Sequence, residues 1–173
     1  MNAGKIQFAE SVGTYVLKFV GDVRMTLCTT LDKVLEHILA QDGVRSILVD
    51  LTETEGIDST SLGLLAKLSV QAQKRFGMIP TIISSSDDIN RILLSMGFDK
   101  VFLIVKEGRE GSQLLRDLPG IECSEQTARE KVLAAHRELM SLNERNRMVF
   151  QDLVRSLENE NCQPCPLPEN HHR

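Results

Sequence analysis

The sequence contains no tryptophan, and aromatic residues make up only 4% of its 173 residues. Rings therefore supply little of the buried volume, and we expect an aliphatic core built from Leu, Ile, Val and Met. The hydrophobic share of 42% and the charged share of 25% are ordinary for a soluble globular protein. The length allows one domain of common size, with residues left over for an extension.

The sequence also lacks a basic excess, since 20 Lys and Arg face 24 Asp and Glu, for a net charge of -4. A nucleic-acid binder needs a basic face to neutralise phosphates, and here the bases are interleaved with acids. The longest apolar runs, such as 101–105, fall far short of the about 20 residues of a membrane span. The first ten residues lack the basic-then-apolar profile of a signal peptide. We therefore expect a cytoplasmic protein that binds neither nucleic acid nor membrane.

The few cysteines offer little support for a metal site. They are Cys28, Cys123, Cys162 and Cys165. Without an export signal they are interpreted as reduced thiols, the first two as ordinary buried or loop residues. The last two, spaced C-x2-C, could supply zinc ligands together with His171 and His172. A lone pair of this kind in a polar, proline-containing tail is weak evidence, so we expect no metal and no cofactor.

Apolar periodicity indicates two initial strands, followed by alternating strands and helices up to about Pro119. The predicted strands are 6–8, 14–20, 46–51, 81–84 and 101–105, and the predicted helices are 28–41, 62–77, 87–96 and 113–118. Gly21 and Asp22 are expected to end the second strand, and 52–56 is expected to be a polar loop. Such alternation implies an α/β domain over 1–119, with helices packed on a mainly parallel sheet.

A different pattern follows, because 125–158 contains neither Pro nor Gly and consists of strong helix formers. We expect one long amphipathic helix within 120–159 and a disordered tail over 160–173. Its apolar stripe has coiled-coil-like spacing and comprises Ala128, Val132, Ala135, Leu139, Leu142, Asn146, Val149 and Leu153. The helix must bury this stripe on its own domain, on a second copy in a homodimer, or on a second partner. A second line widens the apolar face toward the C-terminal end and comprises His136, Met140, Phe150, Val154 and Leu157. His136 and His37 are interpreted as packing or surface residues.

The most informative segment is 58–63, where Asp58, Ser59, Thr60 and Ser61 stand at the expected start of a helix. The simple interpretation is N-capping, because such side chains accept hydrogen bonds from the free amides of the first turn. The functional interpretation is an exposed hydroxyl that a kinase modifies. A phosphate there is favoured by the helix dipole, and its charge would repel an acidic partner.

These residues resemble a known signature. Asp-Ser-Thr-Ser-Leu-Gly at 58–63 is similar to the Asp-Ser-Ser/Thr-Gly-Leu-Gly motif of STAS domains, the fold of bacterial anti-sigma factor antagonists. Gly-Asp-Val at 21–23 resembles the family's Gly-Glu-Leu after its second strand, and 95–102 resembles its late helix-to-strand junction. The resemblance extends over about 5–118 and implies a STAS fold, with a mixed, mainly parallel sheet.

The resemblance also implies a function. In that family an anti-sigma factor with a GHKL-type kinase site phosphorylates the Ser that follows the Asp, and a PP2C-type phosphatase removes the phosphate. The unphosphorylated antagonist binds the anti-sigma factor. By position, Ser59 would be the phosphoacceptor, Asp58 would shape its loop, Thr60 would help cap the helix, and Gly63 would allow close helix packing. Asp22, Asp58, Ser59, Thr60, Ser61 and Gly63 would form the partner-binding surface.

One departure is Ser61, which replaces the usual Gly and leaves three adjacent hydroxyls, so Thr60 and Ser61 are secondary candidates for modification. The alternatives are an accessory subunit of a membrane transporter, and a STAS scaffold or ligand-binding module that is not phosphorylated. No phosphate-binding loop, nucleophile elbow or convincing catalytic cluster appears in the sequence. We therefore expect a regulatory binding protein and not an enzyme.

Overall fold

The computed structural model describes residues 3–108 and 114–160. The strands are β1 Lys5–Ser11, β2 Thr14–Val23, β3 Ser46–Ile57, β4 Thr81–Ile83, β5 Leu103–Val105 and β6 Arg116–Asp117. They form one sheet with the order β5-β4-β3-β2-β1-β6. The α-helices are α1 Cys28–Leu39, α2 Ser59–Phe76, α3 Asp87–Ser95, α4 Glu125–Leu142 and α5 Glu144–Glu160. Single 3-10 turns lie at Met25–Leu27 and Phe98–Lys100.

The sheet is antiparallel at one end and parallel through its centre. A tight turn at Val12 and Gly13, both with positive φ, joins β1 to β2. Parallel pairs then run from β2 to β5, and α1, α2 and α3 connect them. The predicted α/β fold, with a mixed and mainly parallel sheet, is confirmed, and most predicted elements differ only by a few residues at their ends.

The core is largely aliphatic, as the composition predicts. Leu, Ile and Val side chains from the sheet and from α1, α2 and α3 form one buried cluster, to which α4 adds Ala135 and Leu139. The rings of Phe8, Phe19 and Phe98 are the largest fully buried side chains. In the described part of the chain, no helix combines the length and the apolarity that a membrane crossing requires.

Two strands extend beyond their predicted ends. Gly21 does not end β2, and 52–56 is not a loop but the continuation of β3. The pairing of β2 with β3 continues through two register shifts, and Gly21, with φ of 78°, lies beside the second. The Thr54 hydroxyl donates a hydrogen bond to the Phe19 carbonyl oxygen at 2.8 Å. Irregular strand pairing thus accommodates glycine and polar residues inside β2 and β3. In the sequence alone, such residues look the same as those that end a strand.

The helix predicted at 113–118 is wrong for its described residues, 114–118. Arg116 and Asp117 form an edge strand that pairs with Phe8 and Gln7 of β1. The Gln7 side-chain amide donates to Asp117 at 2.8 Å, and the Arg116 guanidinium lies 5.6 Å from the centre of the Phe8 ring. This strand is specified by a distant partner and not by local periodicity.

The C-terminal region is helical, as predicted, but it forms two helices and not one. Asn143 is extended, with φ of -163°, and separates α4 from α5. Its side-chain oxygen accepts a hydrogen bond from the Asn146 amide at 2.8 Å and caps α5. We call residues 125–160 the C-terminal hairpin. α4 packs on α2 and α5 packs on α4, so the hairpin buries its apolar face on its own domain.

The break at Asn143 changes which residues of the predicted stripe are buried. Ala135 and Leu139 are buried as the stripe requires, whereas Val149 and Leu153 are 59% and 42% exposed. Asn146 of the stripe is buried, and so are Phe150 and Val154 of the second apolar line. Beyond the break at Asn143, the buried face of α5 therefore combines one residue of the stripe with residues of the second line.

Candidate functional site

Asp58 fixes the corner between β3 and α2. It is extended, with φ of -87° and ψ of 169°, as an N-cap residue should be. Its Oδ1 accepts a hydrogen bond from the Ser61 amide at 2.9 Å, and its Oδ2 accepts one from the Met25 amide at 2.6 Å. The Asp58 carboxylate therefore caps α2 and also anchors the segment at Met25 that follows β2. The cap is supplied by Asp58, and no hydrogen bond of this kind is formed by Thr60 within the described residues.

Ser59 is the first residue of α2 and is half-buried rather than exposed. Its Oγ lies 2.8 Å from Nε2 of His136, while Nδ1 of His136 lies 2.6 Å from the Val132 carbonyl oxygen. A carbonyl oxygen can only accept, so Nδ1 carries a proton and donates it. In the neutral ring, Nε2 is then the acceptor and the Ser59 hydroxyl is the donor. His136 therefore accepts a hydrogen bond from the Ser59 hydroxyl group, which orients the Ser59 oxygen.

The three adjacent hydroxyls have different environments. Thr60 is 4% exposed and Ser61 is 1% exposed, whereas Ser59 retains partial access to solvent. The Ser61 Oγ is buried without a hydrogen-bond partner among the described residues. A modifying enzyme could approach only Ser59 without first unfolding the turn.

Gly63 brings α2 and α4 into backbone contact. A Cβ atom built on Gly63 would lie 2.2 Å from the carbonyl oxygen of Ala135 and 2.7 Å from its Cβ. No real side chain tolerates such distances, so only glycine permits this approach. The next residue, His136, is 2% exposed, and its ring meets the Phe150 ring edge-on at 5.1 Å between centroids. The close approach therefore places the imidazole over the first turn of α2.

A charged cluster joins α1, α2 and α4. Asp32 of α1 accepts hydrogen bonds from Lys67 of α2, at 3.1 Å, and from Lys131 of α4. Burial alone would raise the pKa of Asp32, but the hydrogen bonds and charges of Lys131 and Lys67 outweigh it, so the pKa lies below its ordinary value. Burial alone would lower the pKa of Lys131, but its bond to Asp32 raises that pKa above its ordinary value. Both groups are therefore charged at neutral pH.

Asp22 lies near the same end of the sheet, one strand away from Asp58. It pairs in register with Gly56 of β3, and the Asp58 amide donates to the neighbouring Val23 carbonyl oxygen at 3.1 Å. One carboxylate oxygen accepts from Arg24 at 2.9 Å, and this hydrogen bond raises the pKa of Arg24. The structure thus brings Asp22 and the segment 58–63 together at the carboxyl ends of β2 and β3, the edge where ligands and partners of α/β sheets commonly bind.

The remaining sequence candidates lie elsewhere. His37 is on the surface of α1 and pairs with Glu10 at 3.0 Å. Cys28 is buried, which raises the pKa of its thiol, and Cys123 is exposed. Over 3–108 and 114–160, no group of three or more His, Cys, Asp or Glu side chains could hold a metal ion. The candidate zinc ligands, Cys162, Cys165, His171 and His172, lie outside the described residues.

With the geometry of the corner established, comparison with known proteins identifies the family. A family model described as the STAS domain matches residues 5–110. The chain belongs to the STAS domain family. The match covers all of β1 to β5 and includes the Asp58 corner, whereas the C-terminal hairpin lies beyond it. No curated protein sequence matches the chain.

Solved structures share the fold of this STAS domain. One is the anti-sigma factor antagonist SpoIIAA in its unphosphorylated form, with 13% identity and a TM-score of 0.52, covering 61% of this chain and 91% of that chain. Another is an anti-sigma factor antagonist from Mycobacterium paratuberculosis, with 20% identity and a TM-score of 0.53, covering 61% of this chain and 87% of that chain. At these identities the likeness establishes the fold.

Sequence reasoning does not predict the contact of His136 with the candidate phosphoacceptor of this STAS protein. The interpretation of His136 as a packing or surface residue agrees with its burial but does not include this hydrogen bond. His136 lies 77 residues from Ser59 in the sequence, and nothing local indicates the contact. The only available signal was its place beside the apolar stripe of the C-terminal region.

Proposed function

We propose that this STAS protein is an anti-sigma factor antagonist in a partner-switching pathway, controlled by phosphorylation of Ser59. The observation that carries the proposal is the position of Ser59. It directly follows the capping Asp58, begins α2, and is the one hydroxyl of three that retains access to solvent. In the unphosphorylated state the protein binds an anti-sigma factor that is also a GHKL-type kinase, and a PP2C-type phosphatase reverses the modification.

The transfer is a simple displacement with ATP as the phosphoryl donor. The Ser59 oxygen attacks the γ-phosphorus, a new O–P bond forms, and the bond to the β-phosphate oxygen breaks to release ADP. The kinase supplies ATP, and a base accepts the proton of the Ser59 hydroxyl group. His136 already accepts that proton in a hydrogen bond, which favours the nucleophilic form of the oxygen. The protein is in this scheme the substrate of two enzymes and has no activity of its own.

A phosphate on Ser59 would act through charge. It adds roughly two negative charges at pH 7, at the amino end of an 18-residue helix whose dipole stabilises an anion. It would also lie next to the carboxylate of Asp58. A partner that docks on this corner with acidic or closely fitted groups would then be repelled. The proposed partner-binding residues are Asp22, Asp58, Ser59, Thr60, Ser61 and Gly63, of which the buried Thr60, Ser61 and Gly63 would support the partly exposed ones from beneath.

Phosphosite mapping in the native host tests this function. Intact-mass and peptide mass spectrometry should find one phosphate on Ser59 in the wild-type protein and none in Ser59→Ala. Ser61→Ala is the matched control, because it removes a neighbouring hydroxyl that is buried, and it should keep the phosphate. Absence of phosphate from Ser59 under every growth condition would refute the switch and favour a transporter subunit or an unmodified scaffold.

Partner capture supplies the second half of the test. The Ser59→Ala and Ser59→Asp variants, used as baits, should recover different amounts of the anti-sigma factor. Ser59→Ala should retain it, and Ser59→Asp should lose it. Equal recovery of the same partner by both baits would show that charge at this position does not control binding.

A further inference from the structure

A cavity of about 190 Å³ lies between α1 and the edge of the sheet formed by β1 and β6. Most of the side chains that line it are apolar, namely Phe8, Val34, Leu118, Pro119 and Ile121. None of the proposed partner-binding residues lines this cavity. What it binds is therefore a question separate from the phosphorylation of Ser59.

Hydrogen bonds hold the walls of the cavity in place. The hydroxyl of Thr30, a buried residue of α1, donates to the Pro119 carbonyl oxygen at 3.0 Å and accepts from the Ile121 amide at 3.2 Å. The Leu118 amide donates to the Ile6 carbonyl oxygen at 2.9 Å. The segment 118–121 is thus tied to both α1 and β1. Because the Thr30 hydroxyl is already paired as donor and as acceptor, the interior offers a ligand mainly apolar surface.

Strand alternation places a cation on the cavity side of β6. Arg116 lines the cavity and pairs in register with Phe8, and its guanidinium lies 5.6 Å from the centre of the Phe8 ring. The next residue, Asp117, points to the opposite face of the sheet, where it contacts Gln7 and Lys5. The cavity side therefore carries the guanidinium without the neighbouring carboxylate.

A second cation lines the cavity from α1. Lys33, like Arg116, is exposed and forms no ion pair within 3–108 and 114–160. The third basic side chain of the lining, His37, is already paired with Glu10 at 3.0 Å. Two cations without ion-pair partners beside one apolar cavity favour an anion, although the whole protein has a net charge of -4. An arginine guanidinium matches the two oxygens of a carboxylate in particular.

The volume limits the size of the ligand. An apolar cavity of about 150 Å³ holds one benzene molecule, so a cavity of about 190 Å³ holds a ring or a short chain and little more. We propose that this cavity is a binding site for a free carboxylic acid with an apolar body of about eight carbon atoms. The body lies between α1 and 118–121, and the carboxylate lies at the opening with Arg116 and Lys33.

Titration of the full, isotope-labelled chain with sodium octanoate, followed by amide chemical shifts in NMR spectra, tests the site. We expect saturable shifts within 30–37 and 116–121, with a dissociation constant of roughly 1 mM or below for a ligand of about ten non-hydrogen atoms. Amides of α3 should not shift. Butanoate should bind at least tenfold more weakly, because it lacks four methylene groups that octanoate buries.

Ligands matched in size separate the contribution of the charge from that of the apolar body. Octylamine and 1-octanol carry the same chain as octanoate, and both should bind at least tenfold more weakly because they lack the carboxylate. Phenylacetate has a ring in place of the chain. Tighter binding of octanoate or of phenylacetate supports the site in either case and distinguishes an aliphatic from an aromatic acid.

Substitutions of the two cations test their role. Arg116→Gln and Lys33→Gln should each weaken octanoate binding about fivefold, which is near the upper limit for an exposed ion pair. The two residues belong to different elements, so a local disturbance of β6 cannot explain both effects. Arg145→Gln is the matched control, because Arg145 is exposed on α5, outside the cavity, and it should bind octanoate like the wild type.

Several results would overturn the proposal. They are the absence of a saturable shift up to roughly 10 mM octanoate, equal affinities for octanoate and octylamine, and wild-type affinity in both Arg116→Gln and Lys33→Gln. Tighter binding of N-acetylleucine than of octanoate would also overturn it, because the site would then fit the carboxyl terminus of a peptide. Saturable shifts confined to 30–37 and 116–121, weakened by both substitutions and not by Arg145→Gln, would establish the site.

Discussion

The side-chain amide of Asn146 donates a hydrogen bond to the backbone carbonyl oxygen of Met96 at 2.8 Å, and it also donates to the Leu139 carbonyl oxygen at 2.9 Å. Asn146 is 1% exposed, and its own backbone amide is bound by Asn143. One buried amide therefore connects the end of α3, the last turns of α4 and the start of α5. This contact fixes the corner of the hairpin on the STAS domain.

Replacing Asn146 should loosen that corner. Asn146→Ala leaves the carbonyl oxygens of Met96 and Leu139 without this donor, at a cost of about 1–3 kcal/mol in unfolding free energy. Urea unfolding followed by circular dichroism measures the loss. Arg145→Ala is the control, because Arg145 is exposed on the same turn, and it should change stability by less than about 0.5 kcal/mol. Equal stability of the two variants would show that the buried amide contributes nothing.

Ser61 should tolerate loss of its hydroxyl. Its Oγ is buried and lacks a partner among the described residues, so Ser61→Ala removes a desolvation cost and should raise the unfolding free energy by about 1 kcal/mol. Ser61→Gly should be about 1 kcal/mol less stable than Ser61→Ala, because glycine is the poorer helix former. Urea midpoints of the three proteins give the order. A Ser61→Ala protein less stable than wild type would mean that the hydroxyl has a stabilising partner such as water.

Asp58 should be more important for stability than an ordinary cap, because it serves two segments. Asp58→Ala loses the bonds to Ser61 and Met25 and should cost about 2 kcal/mol. Asp58→Asn keeps one acceptor oxygen and should cost about half as much. Ser86→Ala removes the cap of α3 alone, at about 1 kcal/mol, and serves as the comparison in the same urea series. Equal costs for Asp58→Ala and Ser86→Ala would contradict the double role.

The charged cluster around Asp32 predicts a specific dependence on pH. The pKa of Asp32 is lowered in the folded protein, so its stabilisation is present above the unfolded-state pKa of about 3.9 and is lost as the pH falls through the folded value. The pKa of Lys131 is raised, so its contribution is present below about pH 10.4 and is lost as the pH rises above that.

Unfolding of wild type and Asp32→Asn from pH 2 to pH 8 measures this effect. The difference in unfolding free energy should be about 2 kcal/mol and constant above roughly pH 5, and it should shrink below roughly pH 4. Asp42→Asn is the control, because the Asp42 side chain is fully exposed, and it should not alter the profile. A wild-type to Asp32→Asn difference that stayed constant down to pH 2 would show that Lys67 and Lys131 do not stabilise the carboxylate.

The fold was predictable because its signals are local. Each parallel strand is an apolar run next to an amphipathic helix, and right-handed crossovers leave few arrangements for such alternation. The Asp58 corner was predictable for the same reason, since a cap and the first turn that it serves lie within four residues.

The features that sequence reasoning missed are set by distant partners. The strand at Arg116 and Asp117 exists because β1 lies beside it, with Gln7 and Asp117 separated by 110 positions. The break at Asn143 turns α5 onto the domain, where Asn146 donates a hydrogen bond to Met96. Helix propensity alone would favour one uninterrupted helix through this position. Local propensity carries no information about such tertiary contacts, and the contact of His136 with Ser59 belongs to the same class.

The position of the hairpin at the carboxyl end of the folded region affects the order in which the protein is made. Every strand of the sheet, including β6, precedes α4 in the chain. On a ribosome that adds roughly 5–20 residues per second, the domain can assemble several seconds before the last turn of α5 has emerged. During that interval α4 does not yet lie against Ser59 and Gly63, so the first turn of α2 is more open to solvent in the nascent chain than in the completed protein.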